Sequence, residues 1–338
     1  MAASWRALHD LPNVEVFVVA FQARTQTAFA DELMSGIPSR LLSLEERHNY
    51  ALIENILIEA QPDVIVLCGW FHPPYRQLAT ASAFKNCSFV MGMDTPWRGR
   101  WKQKLAPLLL QNFLKKMDLV VVTGERSWQY AYRLGIPSEK IRQGMYAIDY
   151  QSWFPLWQER QNAPWPRSLL FVGRYVQEKG VDILVEAYRQ YREKVSNPWS
   201  LICCGKGELE KQLQNEPGIN NLGFVQPHQM QPIWQNAGTF ILPSRFDPWP
   251  LALVEAAAAG LPVICTDVCG SAVEVIRSEY NGLIIPANNA QTLARALVAL
   301  DENYLSLPEW GKRAKQFAAP YDAKLWAMRW RAWLQELL

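Results

Sequence analysis

The sequence predicts two doubly wound α/β domains in tandem, and three observations predict it. The chain has 338 residues, which at about 150 residues per domain suits two. Short, continuous apolar runs alternate with helical patterns, which implies parallel sheets wrapped by helices. The alternation stops once, between Asp149 and Arg167, and then restarts.

In the first domain, residues 1–150, the run Val14–Ala20 reads as the first strand. Ser43 followed by Glu46 forms a capping-box pattern, so a helix is expected from Ser43 to about Ala60. Asp63–Cys68, Ser88–Met93 and Asp118–Thr123 read as further buried strands, with a helix over Trp101–Lys116 between the last two. The stretch 151–167, rich in Pro and Trp and without periodicity, reads as a linker. In the second domain, 168–320, strands are expected at Ser168–Val172, Trp199–Cys204, Asn221–Val225, Thr239–Leu242 and Val263–Thr266. Helices are expected near Val181, Glu208, Gln229, Leu251, Ser271 and Gln291. A last amphipathic helix, 321–338, carries a stripe of Leu325, Trp326, Met328, Trp330 and Trp333.

Composition narrows the function. Lys and Arg total 34 against 32 Asp and Glu, so a net charge of +2 gives no bulk affinity for nucleic acid. The six Cys form no C-x-x-C pair, which argues against a zinc site or a disulfide framework and for a reduced, cytoplasmic compartment. The N-terminus lacks a signal-peptide pattern and no apolar run spans a bilayer. The 15 Trp serve as core or domain-interface residues, or as platforms for sugar faces.

Three segments carry chemistry. In Phe240–Asp267 a strand leads through a loop into a helix from Leu251, whose N-terminus attracts phosphate. Asp247 and Glu255 bracket that start and suit sugar hydroxyls, or serve as turn and pairing residues; Arg245 is their one local cationic neighbour. In Leu169–Val181 a strand ends at Gly173, and Arg174 and Lys179 suit a diphosphate or a solvated loop. Gly205-Lys206-Gly207 cradles a phosphate or makes a tight turn. Neither domain has the G-x-G-x-x-G of a dinucleotide oxidoreductase.

In this order the segments resemble the C-terminal domain of glycosyltransferase family 4, the large GT-B family of retaining enzymes also called glycosyl transferases group 1. The likeness rests on Gly173-Arg174…Lys179-Gly180, Gly205-Lys206-Gly207, Asp247-x7-Glu255, Gly260-Leu261-Pro262, Gly270 and Asn281-Gly282-Leu283, and covers about 168–290. Tyr146-Ala147-Ile148-Asp149 looks like the family's hinge entry. The resemblance implies a GT-B fold, with two Rossmann-like domains facing a central cleft and the last helix crossing back to the first domain. It implies transfer of a hexose from a nucleotide-sugar, such as UDP-glucose, to a saccharide or lipid-linked acceptor, with no metal or other cofactor. Arg174 and Lys179, beside Gly173, would hold the diphosphate and Glu255 the ribose. Asp247 would hold the transferred sugar, and the backbone of Trp249, Leu251 and Ala252 would meet sugar and phosphate. Gly205 would line the phosphate side, and Phe224 and Val225 would read the base. A non-catalytic sugar- or nucleotide-binding protein with this fold is the alternative.

The sequence departs from the family in three ways. Asp247 is one methylene shorter than the family's Glu. Pro248 and Pro250 replace common glycines, and Pro250 removes an N–H. The first clear strand looks like the family's second, so the acceptor-side domain reads as shortened at its start. In that domain Asp94 stands where relatives carry a His, and either orients an acceptor hydroxyl or steadies positive charge at the anomeric carbon, or else serves as an N-cap or turn residue. His72 and Glu125 also follow strands. Arg98, Arg100, Lys102 and Lys104 before an apolar run suit either peripheral contact with an anionic membrane or a solvated helix face.

Overall fold

Continuous runs of β-branched and other apolar residues, flanked by turn formers, make short strands that sheets bury on both faces. The computed structural model, which describes residues 1–22 and 34–338, bears this out: every strand pairing among the described residues is parallel. The chain divides into two compact units, Met1–Ala147 with Ala323–Leu338, and Ile148–Asp322.

In the first unit β1 (Val18–Phe21) pairs with β2 (Ser39–Leu42). A separate sheet runs in the order β3 (Val64–Leu67), β4 (Ser88–Met93), β5 (Leu119–Val122) and β6 (Ile141–Gln143). Its alternating side chains serve two cores. Phe89, Met91, Val120 and Val122 face one that includes Ile53 and Tyr130. Val90, Leu119 and Val121 face another with Leu8, Trp326 and Trp330. The last two come from the helix Ala323–Gln335, and their indole N–H groups donate to Met145 O and Gly144 O at 3.1 Å each. Leu325 and Met328, expected on the same apolar stripe, are exposed instead.

The second unit holds one six-stranded sheet in the order β12, β11, β10, β7, β8, β9. Its strands are β7 (Ser168–Val172), β8 (Ser200–Cys204), β9 (Ile219–Gly223), β10 (Thr239–Leu242), β11 (Val263–Thr266) and β12 (Gly282–Ile285). The first three strands run outward one way and the last three the other, so the order reverses between β7 and β10. In such sheets ligands bind outside the carboxyl ends of the strands at that reversal.

Several local expectations are corrected. The first strand starts at Val18 rather than Val14. Ser43 and Glu46 do make the reciprocal capping bonds, at 2.8 and 3.1 Å, but over a 3-10 turn, Glu46–His48. Asn49 is extended and caps the true helix, Tyr50–Ala60, accepting from Leu52 N–H. The helix expected over Trp101–Lys116 is two, Trp101–Leu109 and Gln111–Leu114, because Leu110 leaves helical geometry at φ −104°, ψ 2°. The strand expected at Asn221–Val225 lies two residues earlier. The stretch 151–167 is not irregular throughout: it carries a helix, Phe154–Gln161. Arg160 on that helix is buried, and its guanidinium donates to Ala237 O and Trp234 O, both at 2.7 Å.

Candidate functional site

The loops that leave β7 and β10 are neighbours because those strands are. After β7 the chain passes Gly173 and Arg174 to a 3-10 turn, Gln177–Lys179, and then Gly180, which starts the helix Val181–Lys194. Gly180 has φ +70°, and a Cβ there would lie 2.0 Å from Pro243 O on the other loop, so only glycine lets the loops touch. The N–H of Arg245 donates to Glu178 O at 2.7 Å. The Arg245 guanidinium grips both Asp182 oxygens, at 2.6 and 2.5 Å, and also donates to Gln177 O and Asn288 Oδ1. Hydrogen bonding to Arg245 holds the Asp182 carboxyl below its ordinary value. Lys179 Nζ in turn donates to Asp247 Oδ2. Arg245 therefore serves Asp182, and the partner of Asp247 is Lys179. A separation of 63 residues hid the Arg245–Asp182 pair from local sequence reading, although the loops after β7 and β10 are neighbours in the sheet.

A third loop, after β8, is tied by backbone to the loop after β7 and to the end of β9. Gly173 N–H donates to Cys204 O at 3.0 Å, Tyr175 N–H to Lys206 O at 2.8 Å, and Gly205 N–H to Gly223 O at 2.8 Å. A Cβ on Gly205 would lie 1.9 Å from Gly173 O, and one on Gly207 2.3 Å from Tyr175 O. These glycines are thus needed for loop-to-loop packing. Tyr175, buried, donates from its phenol to Asn221 Oδ1 at 2.9 Å, fixing the end of β9 next to Phe224 and Val225. Sequence reading missed this tyrosine.

After β10 the buried Asp247 and Trp249 lead to Pro250, the N-cap of the helix Leu251–Ala258. No side chain caps this helix. Pro250 has no N–H, so the orphan donors of the first turn are those of Leu251, Ala252 and Leu253. The adjoining loop lies hard against this one: Gly270 N–H donates to Asp247 O at 3.0 Å, and a Cβ on Gly270 would lie 1.6 Å from Pro248 O. Ser271 Oγ donates to Pro250 O at 3.0 Å and fixes the cap. Glu255, one turn into the helix, is half-buried; its backbone carbonyl accepts from Ala259 N–H at 2.8 Å, and its carboxyl makes no hydrogen bond among the described residues. Burial pushes its carboxyl above the ordinary 4.5.

Arg174, Lys179, Asp247, Trp249, Leu251, Ala252 and Glu255 thus stand on the two central loops or the helix after them. Gly205, Phe224 and Val225 stand on the next two loops of the sheet. Arg174 is exposed and makes no ion pair or hydrogen bond among the described residues. An unengaged guanidinium, a partly engaged ammonium and an uncapped helix start together suit an anionic ligand.

Asp94 belongs to the first unit. It follows β4, is half-buried, and its Oδ2 accepts from the Tyr146 phenol at 3.2 Å. Burial, then the Asp94 charge, pushes the Tyr146 phenol up. His72 lies among rings, 4.9 Å from Phe21 and 5.2 Å from His48, with Nε2 2.6 Å from Arg47 O. Glu125 opens the helix Glu125–Arg133, and its Oε1 accepts from Gln129 at 3.1 Å. No helix among the described residues is long and apolar enough to cross a membrane.

Known proteins share this architecture. HepE of Anabaena, solved with UDP and glucose, superposes with a TM-score of 0.77 at 16% identity, over 99% of this chain and 95% of HepE. Sucrose-phosphate synthase of Thermosynechococcus elongatus gives 0.74 at 17% identity, over 99% and 91%. The fold is GT-B. In sequence, WcaL of Escherichia coli, provisionally named a colanic acid biosynthesis glycosyltransferase, is 28% identical over 57% of this chain and 50% of its own length. AmsK of Erwinia amylovora, an amylovoran biosynthesis glycosyltransferase, is 29% identical over 52% of this chain and 46% of its own. The chain spans about half the length of the curated relatives it matches. Residues 157–317, which hold every one of these central loops, match the family model of glycosyl transferases group 1.

Proposed function

We propose that the protein is a glycosyltransferase that moves a hexose from a uridine diphosphate sugar to a saccharide or lipid-linked acceptor, in cytoplasmic polysaccharide or glycolipid synthesis. The observation that carries this reading is the Lys179–Asp247 pair at the reversal of strand order, beside the uncapped start of the helix Leu251–Ala258. The donor diphosphate lies against the N–H groups of Leu251 and Ala252 and takes Arg174 and the two ammonium donors of Lys179 that Asp247 leaves open. These cations neutralise the leaving nucleoside diphosphate, the part a metal plays elsewhere, and such preorganised charge contributes roughly 3–4 kcal/mol in the transition state. Asp247, fixed by Lys179, holds hydroxyls of the transferred sugar, and Glu255 accepts from the ribose. Trp249, with its backbone, and Gly173 and Gly205 shape the walls, while Phe224 and Val225 meet the base.

Support for uridine comes from HepE, which was solved with UDP-glucose. Support for polysaccharide synthesis comes from WcaL and AmsK. Retention of anomeric configuration follows the likeness to the family. In the first domain the role assigned to Asp94, orienting an acceptor hydroxyl or steadying charge at the anomeric carbon, rests on the likeness to the family.

Calorimetric titration with UDP, GDP and ADP, followed by turnover assays with their glucose and mannose conjugates, tests the reading. Selective UDP binding with sugar release to an added acceptor supports it. Binding without any turnover favours the non-catalytic alternative, and no binding to any of the three removes the donor site.

A further inference from the structure

The helix Trp101–Leu109 has two apolar faces, and the protein covers only one of them. Ala106 and the C-capping Leu110 are buried against the first unit's core. On the other face Trp101 is 67% exposed, Leu105 47%, Leu108 76% and Leu109 74%. At 3.6 residues per turn these four fall within about 100° of arc, with Lys104 bordering the stripe on one side and Lys102 on the other. Lys102 Nζ lies 5.6 Å from the Trp101 ring centroid, so its stem runs beside the stripe's aromatic end. From Thr95 to Met117 the chain carries six cations (Arg98, Arg100, Lys102, Lys104, Lys115 and Lys116) and no carboxylate. The first four are exposed, as are Lys115 and Lys116. The preceding loop is braced against the helix: Gln103 accepts from Arg98 N–H at 2.8 Å and donates to Pro96 O at 2.9 Å.

A stripe of Trp and Leu left outside a folded unit marks an interaction surface. Its charges decide the partner. A segment that carries six cations and no acid suits a surface whose charge is of one sign, as headgroup phosphates are, rather than a protein face of mixed sign. Trp at the edge, Leu in the middle and Lys on both flanks is the arrangement of a helix lying in the plane of a bilayer interface. There the leucines enter the acyl boundary and the lysine stems reach back to the phosphates. We infer that the helix Trp101–Leu109 docks the protein on an anionic lipid surface, with Trp101, Leu105, Leu108 and Leu109 inserted and Lys102 and Lys104 on headgroup phosphates. This surface is independent of the donor site and holds whether or not the transferase reading does.

Flotation of the full chain with vesicles decides it. The protein should float with phosphatidylcholine vesicles that contain phosphatidylglycerol at low salt, and about tenfold less with phosphatidylcholine alone or at high salt. Leu108→Gln/Leu109→Gln and, separately, Lys102→Glu/Lys104→Glu should each cut flotation about tenfold or more, with unchanged circular dichroism. The inference is overturned if the wild-type chain stays in the bottom fraction with phosphatidylglycerol vesicles, or if both folded variants float like the wild type. It is equally overturned if the chain ignores vesicles but forms a dimer in the ultracentrifuge that Leu108→Gln/Leu109→Gln abolishes; the stripe is then a self-association face.

Discussion

Lys179 and Asp247, 68 positions apart in sequence, form an ion pair across the point where the strand order of the second sheet reverses. The pair is largely withdrawn from water, with the two side chains 19% and 8% exposed. It ties the loop that carries the candidate phosphate cations to the loop that carries the candidate sugar ligand, so the two halves of the site are held as one piece before any ligand arrives.

Breaking this pair from one side should be costly. Lys179→Met leaves a buried carboxylate without its cation, and is expected to lower stability by about 3 kcal/mol. Lys179→Met/Asp247→Leu, which removes both charges, should recover most of that. Urea unfolding followed by Trp fluorescence gives the coupling energy from the four proteins. Additive losses would show that the two side chains do not depend on each other.

Arg174 should behave in the opposite way. It is exposed and unengaged among the described residues, so Arg174→Ala should leave stability within about 0.5 kcal/mol of wild type. If it meets the donor diphosphate, the lost charge-assisted bond of roughly 1.5–3 kcal/mol weakens UDP binding by about 10- to 100-fold. Arg174→Lys should restore part of the affinity, since charge survives but the planar fork does not. An unchanged dissociation constant in Arg174→Ala takes this residue out of the donor site.

Burial of Glu255 predicts a pH-dependent contribution to stability. Its folded-state value is raised by burial above the ordinary 4.5. Between 4.5 and that raised value the folded protein holds a proton that the unfolded chain has released, so this group's contribution to stability falls as pH rises through the window. Glu255→Gln, which cannot ionise, should melt higher than wild type at neutral pH, and the gain should vanish below 4.5. If ribose hydroxyls donate to the ionised carboxylate, UDP binding at a pH inside that window expels the proton. Calorimetry in buffers of different ionisation enthalpy should then register proton release, absent in Glu255→Gln; proton uptake would sink the ribose assignment.

Legibility from sequence followed burial. Ser88–Met93, Ser168–Val172, Thr239–Leu242 and Val263–Thr266 begin and end where their apolar runs do, because a strand covered on both faces has nothing polar inside it. Elements set by competition between neighbouring signals were harder. Ser43–Glu46 offers a sound cap, yet Asn49 offers a second one, and the helix takes the later. At the candidate site, the sequence shows which residues stand on βα loops, since Gly173, Gly180 and Pro250 punctuate them. That the loops after β7 and β10 are neighbours depends on strand order, which no single segment encodes. The pairings Lys179–Asp247 and Arg245–Asp182 were therefore out of reach.

Substitution of Asp94 tests whether chemistry separates from donor binding. Its carboxylate is oriented by the Tyr146 phenol at 3.2 Å and sits at the end of β4 in the other unit from the donor loops. If it steadies positive charge at the anomeric carbon or takes the acceptor's proton, Asp94→Asn keeps the shape and loses the charge. Turnover should then fall by about 100-fold or more while UDP affinity stays at the wild-type level. Tyr146→Phe frees one carboxylate oxygen without removing the charge, so its effect should be several-fold smaller and in kcat. Were Asp94 only a turn residue, Asp94→Asn would leave kcat intact, and the contrast between the two variants would disappear.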